Sequence, residues 1–245
     1  MPLGITDEGA VRLLTFRRPE RANAFDDALY RDLAAALDAA AGDGSVSAVV
    51  LTGEGRTFSA GTDLEEMAAI ARAHAAGEEV GEAGKGFGVL MDALIAFPKP
   101  LLAAVNGSGV GLGLTLLAHC DLVLVADGAR FQAPFTTMGV APEAASSYLL
   151  PLLMGAQRAA LVLLAGRWIP AAELVASGLA LSAHPADEVL AATLELAREI
   201  AGKPLASLVA TKRLIAAGRR EAVLRARERE DAAFDELLAR GLGPA

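Results

Sequence analysis

Two glycine-marked turns and one glutamate hold most of the chemistry that can be read along this chain. Phe58-Ser59-Ala60-Gly61-Thr62-Asp63-Leu64 and Asn106 through Thr115 each leave an apolar run and open onto a helical one. A turn of that kind directs unpaired backbone N–H groups outward at the positive end of a helix, which suits an anion. Two such turns side by side would hold one oxygen between two N–H donors, as in an oxyanion hole. The same glycines equally serve tight strand-to-helix turns with no ligand, and spacing leaves both readings standing. Glu143 follows Pro142 at the start of a helical run. A negative charge is favourable there by about 0.3–1 kcal/mol without any reaction, and a carboxylate also suits a general base. Asp63, with Glu66 three residues on, reads as an N-cap with a capping box and needs no catalytic role.

Other chemistries find no footing. No Gly-x-Ser-x-Gly marks a nucleophile elbow, and Gly84-Lys85 lacks the upstream glycine of a phosphate-binding loop. The glycines at 107, 109, 111 and 113 do not fit a dinucleotide fingerprint, because Leu112 stands where its third glycine belongs. The single cysteine, Cys120, lies in LLAHCDLVLVA and reads as a small buried filler, without an internal disulfide. His74, His119 and His184 are scattered without ligand spacing, so no metal site is expected.

Composition narrows the classes further. The chain has 245 residues, 53% hydrophobic and 21% charged, so it can bury a large core without staples. A net charge of −8 disfavours nucleic acid and anionic membrane surfaces, although backbone N–H groups can still hold a phosphate-bearing ligand. No apolar run reaches the length of a membrane span; Leu101–Leu117 is broken by Asn106, Ser108 and four glycines. The N-terminal residues lack the pattern of a signal peptide, which points to a cytoplasmic location.

The elements that must position these residues follow from periodicity. Val11–Phe16, Ala48–Gly53, Leu101–Val105 and Asp121–Ala126 read as strands, and GEGRTFSAG as a loop. A helix is expected from about Asp26, stopped by Gly42 and Gly44. Five glycines interrupt Ala71–Gly88, which reads as a flap. Helices are expected at about Glu143–Met154, Gln157–Leu164, Ala171–Ser177, Ala186–Ala201 and Leu205–Ala216, followed by a charged segment, Arg219–Arg240. Alternating strands and helices followed by helices alone indicate an α/β core with a helical C-terminal extension.

Taken together, three blocks resemble the signatures of the crotonase (enoyl-CoA hydratase/isomerase) superfamily. They are Arg18-Pro19-Glu20-Arg21-Ala22-Asn23-Ala24, Val49–Leu64 and Ala103–Asp121, and the resemblance runs from about Val11 to Ile215. It implies an α/β, crotonase-like spiral of ββα turns with a helical C-terminal extension. Residues 1–190 would form the acyl-CoA-binding core and 191–245 a helical trimerisation segment. It implies an acyl-CoA substrate with no further cofactor, and self-assembly as a homotrimer or dimer of trimers. The thioester oxygen would lie between the amides of Ala60 and Leu112, with substrate contacts at Arg21, Ala22, Ala60, Gly61, Thr62, Asp63, Leu64 and Leu112.

The hydratases of the superfamily use two glutamates, and at those positions this chain has Thr115 and Phe135. Val110–Leu117 and Met138–Tyr148 instead resemble the Δ3,Δ2-enoyl-CoA isomerase branch, in which one glutamate after a proline shuttles the proton. The resemblance thus assigns catalysis to Glu143, Ala60 and Leu112, and the apolar neighbours of Glu143 should raise its pKa. Hydration or another crotonase reaction is the alternative, and a non-catalytic acyl-CoA-binding protein is a third. Lys212 and Arg213 are candidates to approach the CoA phosphates. Tyr148 reads as pocket wall or core, and Trp168 as packing near Pro170.

Overall fold

The computed structural model describes residues 1–75 and 84–240. The chain opens with an antiparallel hairpin, β1 (Leu3–Glu8) against β2 (Val11–Phe16), and continues into α1 (Asp27–Gly42). Three times thereafter it runs a long strand, a short strand and a helix. The first turn is β3 (Ala48–Gly53), β4 (Thr57–Ser59) and α2 (Leu64–Ala75), followed by α3 (Gly86–Ala96). The second is β5 (Leu101–Val105), β6 (Ser108–Val110) and α4 (Leu112–Thr115), which tightens into a 3-10 turn at Leu116–His119. The third is β7 (Leu122–Ala126), β8 (Arg130–Gln132), α5 (Ser146–Met154) and α6 (Ala156–Ala165). The chain ends with β9 (Ile169–Pro170), α7 (Ala171–Ser177), β10 (Ser182–His184), α8 (Val189–Ala201) and α9 (Leu205–Ala239).

Long and short strands sort into two sheets, ordered β1-β2-β3-β5-β7-β10 and β4-β6-β8-β9. Each turn of the spiral therefore adds one strand to each sheet and lies beside the turn before it. The register is parallel from β2 through β10 in the larger sheet. This is the crotonase-like spiral of ββα turns with a long C-terminal helix.

Burial explains why β3 reads as a continuous apolar run rather than an alternation. Val49 and Leu51 point into the main core with Leu33 and Leu37 of α1. Ala48 and Val50 point the other way, under Leu194 and Ala197 of α8. Both faces are covered, as in parallel sheets generally. Val223 and Ala226 of α9 join the main core, so the last helix is packed onto the spiral.

Several expectations need correction. The segment expected as a loop contains β4, and a further strand, β1, precedes the first expected one and pairs with it. Helix α9 does not stop near Ala216; it runs unbroken over 35 residues through Gly218 and the charged segment. Helix α5 begins at Ser146 rather than Glu143, because Ala144 (φ 59) and Ala145 (φ 55) adopt left-handed backbone. The ends of the expected flap are helical, Ala71–Ala75 closing α2 and Gly86–Gly88 opening α3, while residues 76–83 lie outside the described residues.

Candidate active site

The first glycine turn is held by the short segment 18–25. Fully buried Asn23 accepts from the Arg18 N–H at 3.0 Å and donates to the carbonyls of Glu54 (2.9 Å) and Thr57 (2.7 Å). That places the Ala22 and Asn23 carbonyls against β4, where they accept from the Ala60 N–H (2.9 Å) and the Ser59 hydroxyl (2.9 Å). The Gly61 N–H donates to Ser59 Oγ at 3.0 Å, and the Asp63 N–H to the Phe25 carbonyl at 2.8 Å. From Ala60 to Asp63, Thr62 is thus the residue whose N–H has no acceptor among the described residues. The assignment of an oxyanion donor to Ala60 is corrected here: its amide is already bonded to Ala22, and the free amide is that of Thr62.

The second turn leaves a matching donor. Gly111 (φ 52) donates its N–H to the Gln132 carbonyl at 2.9 Å, and its own carbonyl accepts from the N–H groups of Leu114 and Thr115. The Leu112 N–H, at the first position of α4, has no acceptor among the described residues. The two turns touch at Gly61 (φ +85). A Cβ there would lie 2.5 Å from the Val110 carbonyl oxygen and 3.3 Å from the Leu112 nitrogen. Only glycine at position 61 lets the first turn approach Val110 and Leu112 of the second this closely.

Both residues border a cavity of about 340 Å³. Of the residues singled out in the sequence, Ala60, Thr62, Leu64, Leu112 and Glu143 form part of its wall, whereas Arg21, Ala22, Gly61 and Asp63 lie outside it. Arg21 is at the surface, paired with Glu65 at 2.8 Å. Asp63 caps α2 by accepting from the N–H groups of Glu65 (3.2 Å) and Glu66 (3.4 Å). Against the upward push of burial, Arg18 at 3.1 Å and these amides hold its carboxyl below the usual range. The capping box is not closed, because Glu66 accepts instead from the Asp27 N–H at the start of α1 (2.7 Å).

Glu143 reaches the cavity from the strained segment before α5. Thr115 Oγ1 lies 2.8 Å from its Oε1 and 3.3 Å from the Gly111 carbonyl oxygen. Burial, helped by the nearby charge of Glu230 and opposed by the Thr115 hydroxyl, pushes the Glu143 carboxyl up to about 7. Thr115 suits both protonation states. It donates to the carboxylate; when Glu143 carries the proton, Glu143 can donate to Oγ1 while the Thr115 hydrogen turns to Gly111. Phe135 is also in the cavity wall, so the two positions where hydratases carry glutamates hold a hydroxyl and a phenyl ring.

Two cavity residues had no signal in the sequence. Tyr30 of α1 is buried and its hydroxyl lies 2.8 Å from Thr62 Oγ1; burial, then the charge of Glu143, push its pKa upward. Glu230 arrives from α9 in the midst of the charged run Arg219–Arg240. Neither CoA-phosphate candidate lines this cavity. Lys212 is engaged with the Lys99 carbonyl (2.7 Å) and Asp121 (2.8 Å), and Arg213 borders a separate groove with Leu205 and Val209. Tyr148 packs partly buried against the core and is not in the cavity wall. Trp168 is 43% exposed, with the Arg130 guanidinium 5.2 Å from its ring centre, so it is not simply packed near Pro170. Cys120 is buried, and burial pushes its thiol pKa upward. Among the described residues no three His, Cys, Asp or Glu side chains converge as a metal cluster, and no helix is long and apolar enough to cross a membrane.

Two amides unpaired among the described residues and a carboxyl raised by burial border one largely apolar cavity, an arrangement suited to holding a developing negative charge. The chain belongs to the enoyl-CoA hydratase/isomerase family, whose pattern matches residues 6–241. It is 36% identical over 229 residues to enoyl-CoA delta isomerase 2 of Rattus norvegicus, covering 92% of this chain and 57% of that protein. It is 37% identical over 183 residues to the 2,3-dehydroadipyl-CoA hydratase of Escherichia coli K12, covering 75% of this chain and 69% of that one. The chain spans little more than half the length of the isomerases it matches. The crystal structure of an enoyl-CoA hydratase/isomerase from Pseudoalteromonas atlantica T6c superposes with a TM-score of 0.90 at 37% identity, covering 98% of this chain and 92% of the other.

Proposed function

We propose that the chain is a Δ3,Δ2-enoyl-CoA isomerase, working on its CoA thioester without a metal or a further cofactor. The thioester oxygen lies between the Thr62 and Leu112 N–H groups, which acidify the C2 protons and hold the negative charge that develops when one leaves. Glu143 as carboxylate takes a C2 proton, giving a dienolate, with Thr115 then receiving the Glu143 hydrogen bond. The same carboxylic acid delivers the proton to C4, and the double bond ends between C2 and C3 in conjugation with the carbonyl. Protons and electrons balance with one base and no water.

The observation that carries this reading is the elevated Glu143 carboxyl beside Thr115 and Phe135 in place of a second free base. A base near neutrality can both accept and return a proton, and the phenyl ring keeps water from the hydratase position. Hydration is the second reading, favoured by the likeness to the Escherichia coli hydratase. Assembly as a homotrimer or dimer of trimers is part of the proposal. It is supported by the exposure of large apolar side chains such as Leu161, Leu164, Leu214 and Ile215, of the kind other subunits cover.

Purified protein with a medium-chain 3-enoyl-CoA should develop the ultraviolet band of the conjugated thioester, and Glu143→Gln should abolish it. Consumption of 2-enoyl-CoA without that band would replace isomerisation by hydration. Tight binding of saturated acyl-CoA with neither reaction would indicate a binding protein.

A further inference from the structure

We propose that Glu230 is a positioning residue, a carboxylate supplied by α9 that holds the turn presenting Glu143 to the cavity; the proposal rests on Glu143 being the base of the isomerase reading. The segment needs holding. Ala144 and Ala145, both buried, follow Glu143 in successive left-handed conformations that residues with a Cβ rarely adopt. They turn the chain so that α5 starts at Ser146, and that helix has no side-chain cap of its own, since Ala145 occupies the N-cap.

Glu230 takes the place of the cap across the fold. Its Oε2 accepts from the Ala145 N–H at 2.6 Å and its Oε1 from the Ser147 N–H at 2.8 Å. On the other side, His119 Nε2 lies 2.8 Å from the Ala144 carbonyl oxygen. Burial pulls His119 down to about 4, so the neutral ring donates its Nε2 hydrogen to Ala144 near neutrality. The left-handed pair is thus gripped at a carbonyl by His119 and at its amide side by Glu230. Such conformations persist where surrounding structure over-determines them.

The same bonds exclude Glu230 from the chemistry, although it borders the cavity. Both of its oxygens are committed to backbone amides at the positive end of α5. Glu143 has one hydroxyl partner from Thr115. Glu230 therefore governs the geometry of Glu143 and leaves the oxygen-holding half of the site, at Thr62 and Leu112, untouched.

Full-length wild type, Glu230→Ala and Glu230→Gln are compared with a 3-enoyl-CoA, and the Glu143 carboxyl is followed by carbon-13 NMR, assigned by its loss in Glu143→Gln. Alanine should cut kcat by about 100-fold with KM within about twofold, because misplacing a reacting group by about 1 Å has that cost. Glutamine, which keeps one acceptor oxygen, should cut it by about 10-fold and supplies the measurement if the alanine variant does not fold. In the glutamine variant the Glu143 titration should also move to lower pH, since a neighbouring negative charge is gone. The other groups facing the pair stay in place. They are Thr115 and Tyr30 on the Glu143 side, Ser147 and Asp231 at Glu230, Arg227 paired with Asp231, and His119 on the Ala144 carbonyl. An unchanged kcat, or a raised KM alone, with Glu143 titrating as in wild type would overturn the proposal. A wild type that does not isomerise, but whose Glu143 titration still moves in Glu230→Gln, would overturn the isomerase reading and leave the positioning role standing.

Discussion

Glu143→Gln should inactivate the protein and at the same time make it more stable, by an amount that depends on pH. The Glu143 carboxyl titrates at about 7 in the folded chain against an ordinary value of 4.5. At about 1.36 kcal/mol per pH unit that gap corresponds to about 3 kcal/mol. Because the folded value is the higher one, the fold accommodates the neutral acid and not the anion. Below pH 4.5 both states carry the proton and the residue costs nothing; the cost grows as pH rises and is complete above about 7. Glutamine stays neutral and can still accept from Thr115, so it escapes the cost. Thermal unfolding of wild type and variant, stepped from about pH 4 to about pH 8.5, should show curves that coincide at the acid end. At the basic end the variant should melt about 6–12 °C higher, at about 2–4 °C per kcal/mol for a chain of this size. A difference that stays constant across the range, or a wild type that is the more stable at high pH, would refute the reasoning.

Other perturbations test the remaining parts of the site and its support. Thr115→Val removes the hydroxyl that favours the Glu143 carboxylate, so the acid limb of the kcat/KM profile should move to higher pH; a move to lower pH would contradict the donor role. Gly61→Ala places a Cβ 2.5 Å from the Val110 carbonyl oxygen at φ +85, and should lose activity by about 100-fold while lowering the melting temperature; near wild-type kcat would mean that the two turns need not touch. Ser146 Oγ is buried with no partner among the described residues. Ser146→Ala should therefore be neutral or stabilising by about 1 kcal/mol in urea unfolding, and a clear loss would reveal a partner for the hydroxyl. Lys99 donates to the carbonyls of Ala40, Asp43 and Val46 at 2.6, 2.7 and 2.8 Å. Lys99→Met should cost about 3 kcal/mol, because those acceptors are left buried and unpaired, and a neutral result would show that water replaces the ammonium.

The parts of the fold that were legible are those whose residues decide their own state. Ala48–Gly53 and Leu101–Val105 are almost wholly apolar because they end up covered on both faces, Val11–Phe16 carries Arg12 and Thr15 among its apolar residues, and the bounds of all three emerge as read. Ala171–Ser177 follows a proline and ends at Gly178 in the left-handed conformation, so both of its ends are written locally. The short strands are different. Thr57–Ser59, Ser108–Val110 and Arg130–Gln132 have three residues each and become strands only by lying beside one another in successive turns of the spiral. Nothing within three residues announces that pairing. The unbroken α9 was hidden by Gly218 and by the dense charge of Arg219–Arg240, although apolar residues within that segment, Val223 among them, are there for packing and Val223 and Ala226 are buried.

In the site, residue type and spacing pointed to two turns that the fold brings together but could not say which atoms were already engaged. Ala60 and Thr62 are both plausible donors in Ser59-Ala60-Gly61-Thr62-Asp63; they differ because the Ala22 carbonyl, fixed by buried Asn23, has taken the Ala60 hydrogen. The same accounting separates the two glutamates. Each is a carboxyl at the same cavity, close enough for the charge of Glu230 to raise Glu143. Glu230 has an amide for each oxygen and is fixed in place; Glu143 has one hydroxyl, and burial that its charge must oppose. Burial raises both carboxyls, but a group held by two amides is costly to move, whereas one with a single adaptable partner can exchange a proton near neutrality. The carboxyl we propose as the base is therefore singled out by the bonds it lacks, and those follow from contacts between segments distant in the chain.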